Sequence, residues 1–190
     1  MSHKQSRILA AMAVLSLATS TIAGVSAVQA STVTVGGAPM YSQKNIIQNA
    51  VNSKDHTTLV AAVKAAGLVD TLSGAGPFTV FAPTNAAFDK LPAGTVNTLV
   101  QPENKATLTK ILTYHVVAGR LSAADIKKMI KDGHGAAELK TVSGGTLTAM
   151  MKGNMIVLKD EKGGMSTVTQ GNVFQSNGVI HVVDSVLLPN

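Results

Sequence analysis

The first part of the chain carries apolar residues at helical spacing, interrupted by glycine and proline. Apolar side chains recur every three or four positions over residues 46–66, which predicts helices that end at Gly67. Residues 78–82 combine aromatic and β-branched side chains, a pattern typical of a buried strand. Helical spacing then resumes, and Ser122 with Asp125 predicts a capping box at the start of a further helix.

After Gly135 the pattern changes to short strands joined by glycine-bearing turns. Apolar and β-branched runs alternate with turns such as Gly144-Gly145, Gly153-Asn154 and Asn177-Gly178. This alternation predicts an antiparallel meander. Because helices come first and strands later, the predicted class is α+β rather than alternating α/β.

The first thirty residues have the pattern of a secretory signal peptide. Lys4 and Arg7 precede a short apolar run over residues 8–18, and small residues follow up to Ala30. We predict cleavage after Ala30, with Ala27 as the next candidate. A membrane anchor needs about 20 continuous apolar residues, and polar residues interrupt this run. The sequence therefore predicts an exported protein, in the periplasm or the medium, with no membrane-spanning segment after cleavage.

The remaining chain is predicted to be one domain with a short leading segment. Residues 31–44 are rich in Ser, Thr, Val and Gly, and we expect a flexible lead-in. Residues 45–190 are expected to form the domain. Hydrophobic residues make up 45% of the 190 and charged residues 14%, which excludes a disordered chain. The absence of cysteine excludes disulfides and thiolate sites. Only 3% of the residues are aromatic, which disfavours binding of nucleic acid by base stacking.

Three segments resemble the signature of a known family, in order and at the spacing of one domain. They are residues 76–88 (GPFTVFAPTNAAF), residues 112–117 (LTYHVV) and residues 177–189 (NGVIHVVDSVLLP). They resemble the first box, the central Tyr-His motif and the second box of fasciclin domains. The resemblance covers about residues 45–189. The chain resembles single-domain bacterial secreted proteins of this family.

This resemblance implies a fold in which N-terminal helices wrap a β-wedge of twisted antiparallel and mixed sheets. It also implies a secreted, non-enzymatic role in adhesion and no cofactor. The implied partner is a cell-surface protein or polysaccharide, and we expect a monomer. In animal relatives the Tyr-His region is associated with receptor binding, which makes Tyr114 and His115 candidate partner-binding residues here.

The residues around this motif leave two functions open. Residues 114–117 look extended, and neighbours in a strand face opposite sides. We therefore expect His115 in the core, bonded to a backbone group or to the Thr84–Asn85 corner, and Tyr114 partly exposed. A flat basic or apolar surface would favour adhesion. A pocket near Tyr114 would favour the alternative, a periplasmic or secreted protein that binds a small molecule.

Other polar residues are interpreted mainly as structural. Thr84 and Asn85 are expected to cap the helix that follows them or to bridge to the Tyr-His segment. His181 shares a strand face with apolar neighbours, so we place it in the core. No histidine pair has metal-binding spacing, and no serine-nucleophile motif occurs. We therefore predict no catalytic, metal or cofactor site.

Two surface clusters complete the candidates. Lys127, Lys128 and Lys131 form either a solvated helix face or a weak patch for anionic polymers or lipid headgroups. Met150, Met151 and Met155 surround a hairpin turn and favour either core packing or an adaptable contact surface. Consecutive methionines face opposite sides of a strand, so we expect one of the first two to be exposed.

Overall fold

The computed structural model describes residues 32–190. The predicted signal peptide over residues 1–30 lies outside them. The strands are β1 (Val33–Val35), β2 (Ala38–Met40), β3 (Phe78–Pro83), β4 (Val116–Ala118), β5 (Ala136–Lys140), β6 (Thr146–Lys152), β7 (Met155–Lys159), β8 (Met165–Gln175) and β9 (Gly178–Val183). The helices are α1 (Ile46–Ala50), α2 (Thr57–Ala66), α3 (Val69–Ser73), α4 (Asn85–Asp89), α5 (Thr95–Leu99), α6 (Lys105–Tyr114) and α7 (Ala123–Asp132), with 3₁₀ turns at Lys54–His56 and Pro102–Asn104.

Seven strands form one mixed sheet in the order β4-β3-β9-β8-β7-β6-β5. Strands β3 and β9 pair in parallel, and all other neighbours are antiparallel. A bridge between Val117 and Thr141 brings the two outer strands together, and the Val142 N–H donates to the Val116 carbonyl at 2.8 Å. The sheet is therefore nearly closed, and the predicted α+β class and β-meander are confirmed.

Two apolar cores lie on opposite faces of the β3–β9 pair. The inner core lies inside the curved sheet, where Phe81 and Val183 meet Ile126 and Ile130 of α7. The outer core packs the other face of the same strands against α1, α2 and α6. Because both faces are covered, residues 178–183 are all buried, which explains the nearly continuous apolar sequence of this strand.

The predicted flexible lead-in is wrong over residues 33–40. These residues form the hairpin β1–β2, and Val35 and Met40 are buried in the outer core. Gly36 and Gly37 provide the turn, both with positive φ. A Gly-Gly pair between two short β-branched or apolar runs is a hairpin signal, which the polar composition of the segment obscures.

The predicted extended conformation of the Tyr-His segment is also wrong in its first half. Helix α6 continues to Tyr114, and the His115 N–H closes it by donating to the Leu112 carbonyl at 3.1 Å. The helical spacing of Leu108, Ile111 and Leu112 extends to His115, because that residue lies one turn beyond Ile111. Only residues 116–118 form a strand. The two motif residues therefore lie at a helix end, where the alternation of strand faces does not apply.

The predicted capping box at Ser122 is confirmed. The Asp125 N–H donates to Ser122 Oγ at 3.2 Å, and the Ser122 N–H donates to the Asp125 carboxylate at 2.9 Å. This cap fixes the start of α7, whose buried side inserts into the inner core. Within residues 32–190, no helix combines the length and apolar character needed to span a membrane.

Because the β1–β2 hairpin packs into the outer core, Met40 should contribute to the stability of the fold. Replacing this buried side chain with Ala should lower the free energy of unfolding by about 2–5 kcal/mol, because it leaves a cavity in the outer core. Val142, which is 47% exposed, provides the control, and Val142→Ala should change that free energy by less than about 0.5 kcal/mol. Urea denaturation of the two variants measures the difference. Equal, small effects would mean that the hairpin is not part of the core.

Candidate functional site

Tyr114 is fully buried, contrary to the expected partial exposure. Its hydroxyl donates to the Thr146 carbonyl at 2.8 Å and accepts from the Glu161 N–H at 3.1 Å. Burial raises the pKa of this phenol to about 12. Gly145 packs so closely on the ring that a Cβ there would lie 2.7 Å from Tyr114 Cε2. Tyr114 therefore joins α6 to two turns of the sheet and offers no surface to a partner.

His115 lies in the core, as expected, with 2% of its surface exposed. Its Nδ1 lies 2.8 Å from the Ile111 carbonyl, and its Nε2 accepts from the Leu187 N–H at 3.0 Å. Because Nε2 must accept from an N–H, the proton of the neutral ring is on Nδ1. Burial lowers the pKa of this imidazole to about 4. The ring bonds to backbone groups, as expected, but not to the Thr84–Asn85 corner.

The bond to Leu187 is part of a longer attachment of the C-terminal segment. The Leu188 N–H donates to the Asp160 carboxylate at 3.0 Å, and the Asn190 N–H donates to the Glu161 carboxylate at 3.2 Å. Hydrogen bonds from the backbone of Thr146 and Asn190 lower the pKa of Glu161. The Tyr-His motif thus holds the last residues of the chain against the sheet through its own imidazole and the neighbouring turn.

Of the two roles predicted for Thr84 and Asn85, Thr84 caps the following helix and Asn85 forms a bridge to another segment. Thr84 caps α4, since its Oγ1 accepts from the Ala87 N–H at 3.2 Å. Asn85 bridges to α2 rather than to the Tyr-His motif. Its Oδ1 accepts from the Thr58 N–H at 3.0 Å, and its Nδ2 donates to the Lys54 carbonyl at 2.8 Å. Asn85 therefore caps a helix that lies about 27 residues earlier in the chain.

His181 is fully buried and bonded at both ring nitrogens. Its Nε2 lies 2.8 Å from the Leu121 carbonyl, and its Nδ1 accepts from the Asn172 N–H at 3.4 Å. The ring stacks on Phe81 with centroids 5.7 Å apart, and burial lowers its pKa. Among residues 32–190, no group of three or more His, Asp or Glu side chains could hold a metal ion.

The three lysines of α7 are exposed, and one of them is neutralised. Lys128 Nζ lies 2.7 Å from the Asp132 carboxylate, one helical turn away. Lys127 and Lys131 take part in neither of the two ion pairs found among the described residues. The helix also carries Asp125, so its charged groups nearly balance.

A second basic surface lies on the outer face of strands β5–β8. Ala149 and Leu158 point into the inner core, so their strand neighbours point outward. The methionine–lysine face is defined by seven of these outward residues, Glu138, Lys140, Met150, Lys152, Met155, Lys159 and Met165. Met155 is 51% exposed and Met165 58%. The sequence predicted exposure at the methionine hairpin but missed Met165, which joins the face only through strand register.

Strand register places each exposed methionine of this face beside a lysine. Lys152 pairs directly with Met155, and Lys159 pairs directly with Met165. Directly paired side chains have Cβ atoms about 4.5–5.5 Å apart. Glu138 is the acidic residue on the same face, opposite Thr148. The face therefore combines flexible apolar groups with excess positive charge.

An apolar cavity of about 40 Å³ lies in the outer core, between the sheet and helices α1 and α2. Its polar lining residues are Ser53, His56 and His115. His56 is 3% exposed, and its Nδ1 lies 2.8 Å from Ser53 Oγ. Burial lowers the pKa of His56, while a backbone hydrogen bond with Ala82 and the charge of Asp55 raise it by less. The sequence assigned no role to His56, because its neighbours in the cavity come from distant segments.

Acid should destabilise the fold through His115. The folded pKa of His115 is about 4 and its ordinary value is 6.5, so between these values the unfolded chain binds a proton that the folded chain does not. The contribution of His115 to the free energy of unfolding should be complete above about pH 6.5. It should decrease by up to roughly 3 kcal/mol as the pH falls toward 4. Urea denaturation at several pH values measures this slope.

Two variants separate His115 from other titrating groups. His115→Gln should reduce the pH slope without abolishing it, because burial also lowers the pKa of His56 and His181. His134 is exposed, so His134→Gln should keep the full slope. An unchanged slope in His115→Gln would contradict the assignment.

Because Asn85 caps α2 as well as lying at the start of α4, its removal should destabilise the fold more than removal of the Thr84 side chain. Asn85→Ala removes three hydrogen bonds and should lower the free energy of unfolding by about 1–3 kcal/mol. Thr84→Ala should lower it by about 1 kcal/mol. Asn97 is exposed on α5, and Asn97→Ala provides the control. Chemical denaturation compares the three, and an Asn85→Ala effect as small as that of the control would refute the bridging role.

Known proteins resemble this chain over most of its length. The Fasciclin domain family profile matches residues 54–189. Protein sll1483 of Synechocystis sp. is 48% identical over 148 residues, which are 78% of this chain and 75% of that protein. The cell surface glycolipoprotein MPB83 of Mycobacterium bovis is 35% identical over 153 residues, covering 78% of this chain and 62% of the relative.

A solved structure gives independent support for the fold. The FAS1 domain pair of the insect cell adhesion molecule fasciclin I superposes with a TM-score of 0.68 at 19% sequence identity. The match covers 76% of this chain and 51% of that one, so this chain spans about half of the solved pair. The resemblance of the three sequence boxes is thus confirmed by sequence and by fold, and this chain belongs to the fasciclin domain family.

Proposed function

We propose that this chain is an exported, non-enzymatic adhesion module that binds an acidic protein or polysaccharide on a cell surface. Fasciclin domains serve adhesion in surface proteins, and their family is generally not enzymatic. The buried polar residues of the signature boxes are engaged in bonds that hold the fold together. The partner must therefore be recognised by groups that the fold leaves on the surface.

The observation that carries this proposal is the methionine–lysine face. Its three lysines exceed its one acidic residue, whereas the three lysines of α7 share their helix with Asp125 and Asp132. Exposed methionines supply adaptable apolar contacts, and neighbouring lysines attract an acidic partner. An exposed apolar surface with a charged border is typical of an interaction site.

The lysines of α7 are the competing surface, and matched charge reversals distinguish the two. Lys152→Glu combined with Lys159→Glu should weaken binding to cells of the producing organism at least tenfold, because it reverses the face next to both exposed methionines. Lys127→Glu combined with Lys131→Glu makes the same change in net charge on α7 and should weaken binding less than threefold. Binding of fluorescently labelled protein at two salt concentrations measures both effects.

The outcomes of this comparison are distinct. Binding by the methionine–lysine face should weaken as salt rises, because the attraction between exposed charges is screened. Equal losses in the two double variants would mean that net charge alone matters. A larger loss in the α7 variant would assign the partner to the helix, and no loss in either would refute both surfaces.

The second candidate function is binding of a small molecule. The apolar cavity supports it, because His115 of the Tyr-His motif forms part of the cavity wall. His56 also lines the cavity, although the surface that faces the cavity is apolar.

A further inference from the structure

Two exposed aromatic rings lie near the turn between β8 and β9. The chain has two tyrosines, four phenylalanines and no tryptophan. Among residues 32–190, the exposed aromatic side chains are Tyr41, 39% exposed, and Phe174, 41% exposed. Lys44 Nζ lies 4.9 Å from the centroid of the Tyr41 ring, and Arg120 Cζ lies 6.0 Å from that of Phe174. The same combination of a ring and a cation therefore occurs twice.

Both pairs are attached to Gln175, the buried last residue of β8. Arg120 Nη2 donates to the Gln175 carbonyl. The buried Asn49 amide donates to Gln175 Oε1 and to the Tyr41 carbonyl, and its oxygen accepts from the Tyr41 N–H. These bonds fix the Arg120 guanidinium and the Tyr41 backbone before any ligand arrives. Groups that are already positioned lose less entropy when they bind.

The segments around this turn carry positive charge and no carboxylate. Backbone hydrogen bonds of 3.0 Å join them: Lys44 to Ser176, Asn177 to Phe78 and Pro77 to Gly119. No Asp or Glu occurs in these segments, which are residues 41–45, 74–78, 118–121 and 174–178. Lys44 and Arg120 are exposed and take part in neither of the two ion pairs found within residues 32–190. Their charges therefore favour a negatively charged ligand.

We propose that Tyr41, Lys44, Arg120 and Phe174 form a binding site for a polysaccharide of uronic acids, which we call the aromatic–cation site. A uronic acid unit is a sugar ring that carries one carboxylate. Its apolar C–H face packs on an aromatic ring, and its carboxylate lies beside the cation of the same pair. Because the site contains two such pairs, one polymer can engage both and gain affinity from the two contacts together.

The ratio of one cation to each ring favours uronic acids over other polymers. A neutral polysaccharide would leave both cations without a partner. An acidic peptide supplies carboxylates but has no sugar face for each aromatic ring. A heavily sulfated polysaccharide carries several charges on each unit, whereas each ring here has one cation beside it.

The aromatic–cation site lies apart from the methionine–lysine face and shares no residue with it. Met165 and Phe174 are nine positions apart in β8, which corresponds to roughly 30 Å at about 3.3 Å per residue. The inference therefore goes beyond the proposed function, since it concerns a second surface and a defined ligand. It does not depend on which surface carries binding to cells.

Polygalacturonate and polyglutamate form a matched pair of probes. Both carry one carboxylate per unit, but only polygalacturonate has sugar rings. Each is titrated into the full chain by isothermal calorimetry, and polygalacturonate should bind at least tenfold more tightly. Equal affinities would mean that charge alone is recognised. That result, the absence of polygalacturonate binding, or tighter binding of dextran sulfate than of polygalacturonate would each overturn the proposal.

Tyrosine fluorescence locates the bound polymer. Because the chain has no tryptophan, its emission comes from the exposed Tyr41 and the fully buried Tyr114. The neutral quencher acrylamide should therefore act mainly on Tyr41. Saturating polygalacturonate should reduce this quenching by at least half, because a sugar unit covers the ring. Unchanged quenching at saturation would mean that the polymer binds elsewhere and would refute the site.

A double variant tests the two rings directly. Tyr41→Leu combined with Phe174→Leu removes both aromatic faces but keeps the net charge and an apolar side chain at each position. It should weaken binding of polygalacturonate at least tenfold and leave binding of polyglutamate within twofold. Val142 is 47% exposed and lies outside the site, so Val142→Ala is the control and should change neither affinity by more than twofold. Equal effects of the double variant and the control would contradict a role of the rings.

The Lys152→Glu and Lys159→Glu double variant separates this site from the proposed adhesion surface. At about 0.15 M salt the screening length is about 8 Å, so charges on the methionine–lysine face act weakly at this site. The lysine variant should therefore bind polygalacturonate within threefold of the unaltered protein, whatever its effect on cell binding. Loss of polygalacturonate binding in the lysine variant but not in the ring variant would assign the polymer to the methionine–lysine face. That outcome would overturn the aromatic–cation site and leave the proposed function standing.

Discussion

The parallel pairing of β3 with β9 is the constraint on which the rest of the structure depends. These strands lie about 100 residues apart in the chain, and both apolar cores pack against them. Their alignment is tight where the two strands begin. A Cβ on Gly178 would lie 2.1 Å from the Phe78 carbonyl oxygen, and one on Gly76 would lie 2.2 Å from that of Asn177. No residue larger than glycine fits these two positions without moving the backbone.

Asn177 links the same pairing to the helices. Its side-chain amide donates to the carbonyls of Leu72 and Gly74 at 2.8 Å, and its Oδ1 accepts from the Ile46 N–H at 3.0 Å. One buried side chain thus fixes the end of α3, the start of α1 and the entry into β9. This arrangement gives a physical reason for the first and last signature boxes, because each supplies one strand of the pair and one of the glycines.

The sequence predicted features encoded locally and missed those that depend on long-range pairing. The capping box at Ser122 and the buried strand at residues 78–82 are set by neighbours in the chain, and both were predicted correctly. The Tyr-His motif was misplaced because β-branched residues follow it immediately, although Leu112 and His115 continue the helical face. Nothing local shows that Asn85 bonds to Thr58, or that Met165 lies beside Lys159.

The same distinction explains why the polar signature residues lie inside the fold. A buried imidazole, phenol or amide stabilises the fold only when its polar atoms have partners, and Tyr114, His115 and His181 have theirs within the chain. Such residues preserve the framework, while the side chains that the framework leaves exposed, such as Met155 and Met165, lie elsewhere. Among residues 32–190, His56 differs from these signature residues, because its Nε2 does not meet hydrogen-bond geometry with any group. Burying a polar atom without a partner costs stability, and the signature residues avoid this cost because their polar atoms are bonded within the chain.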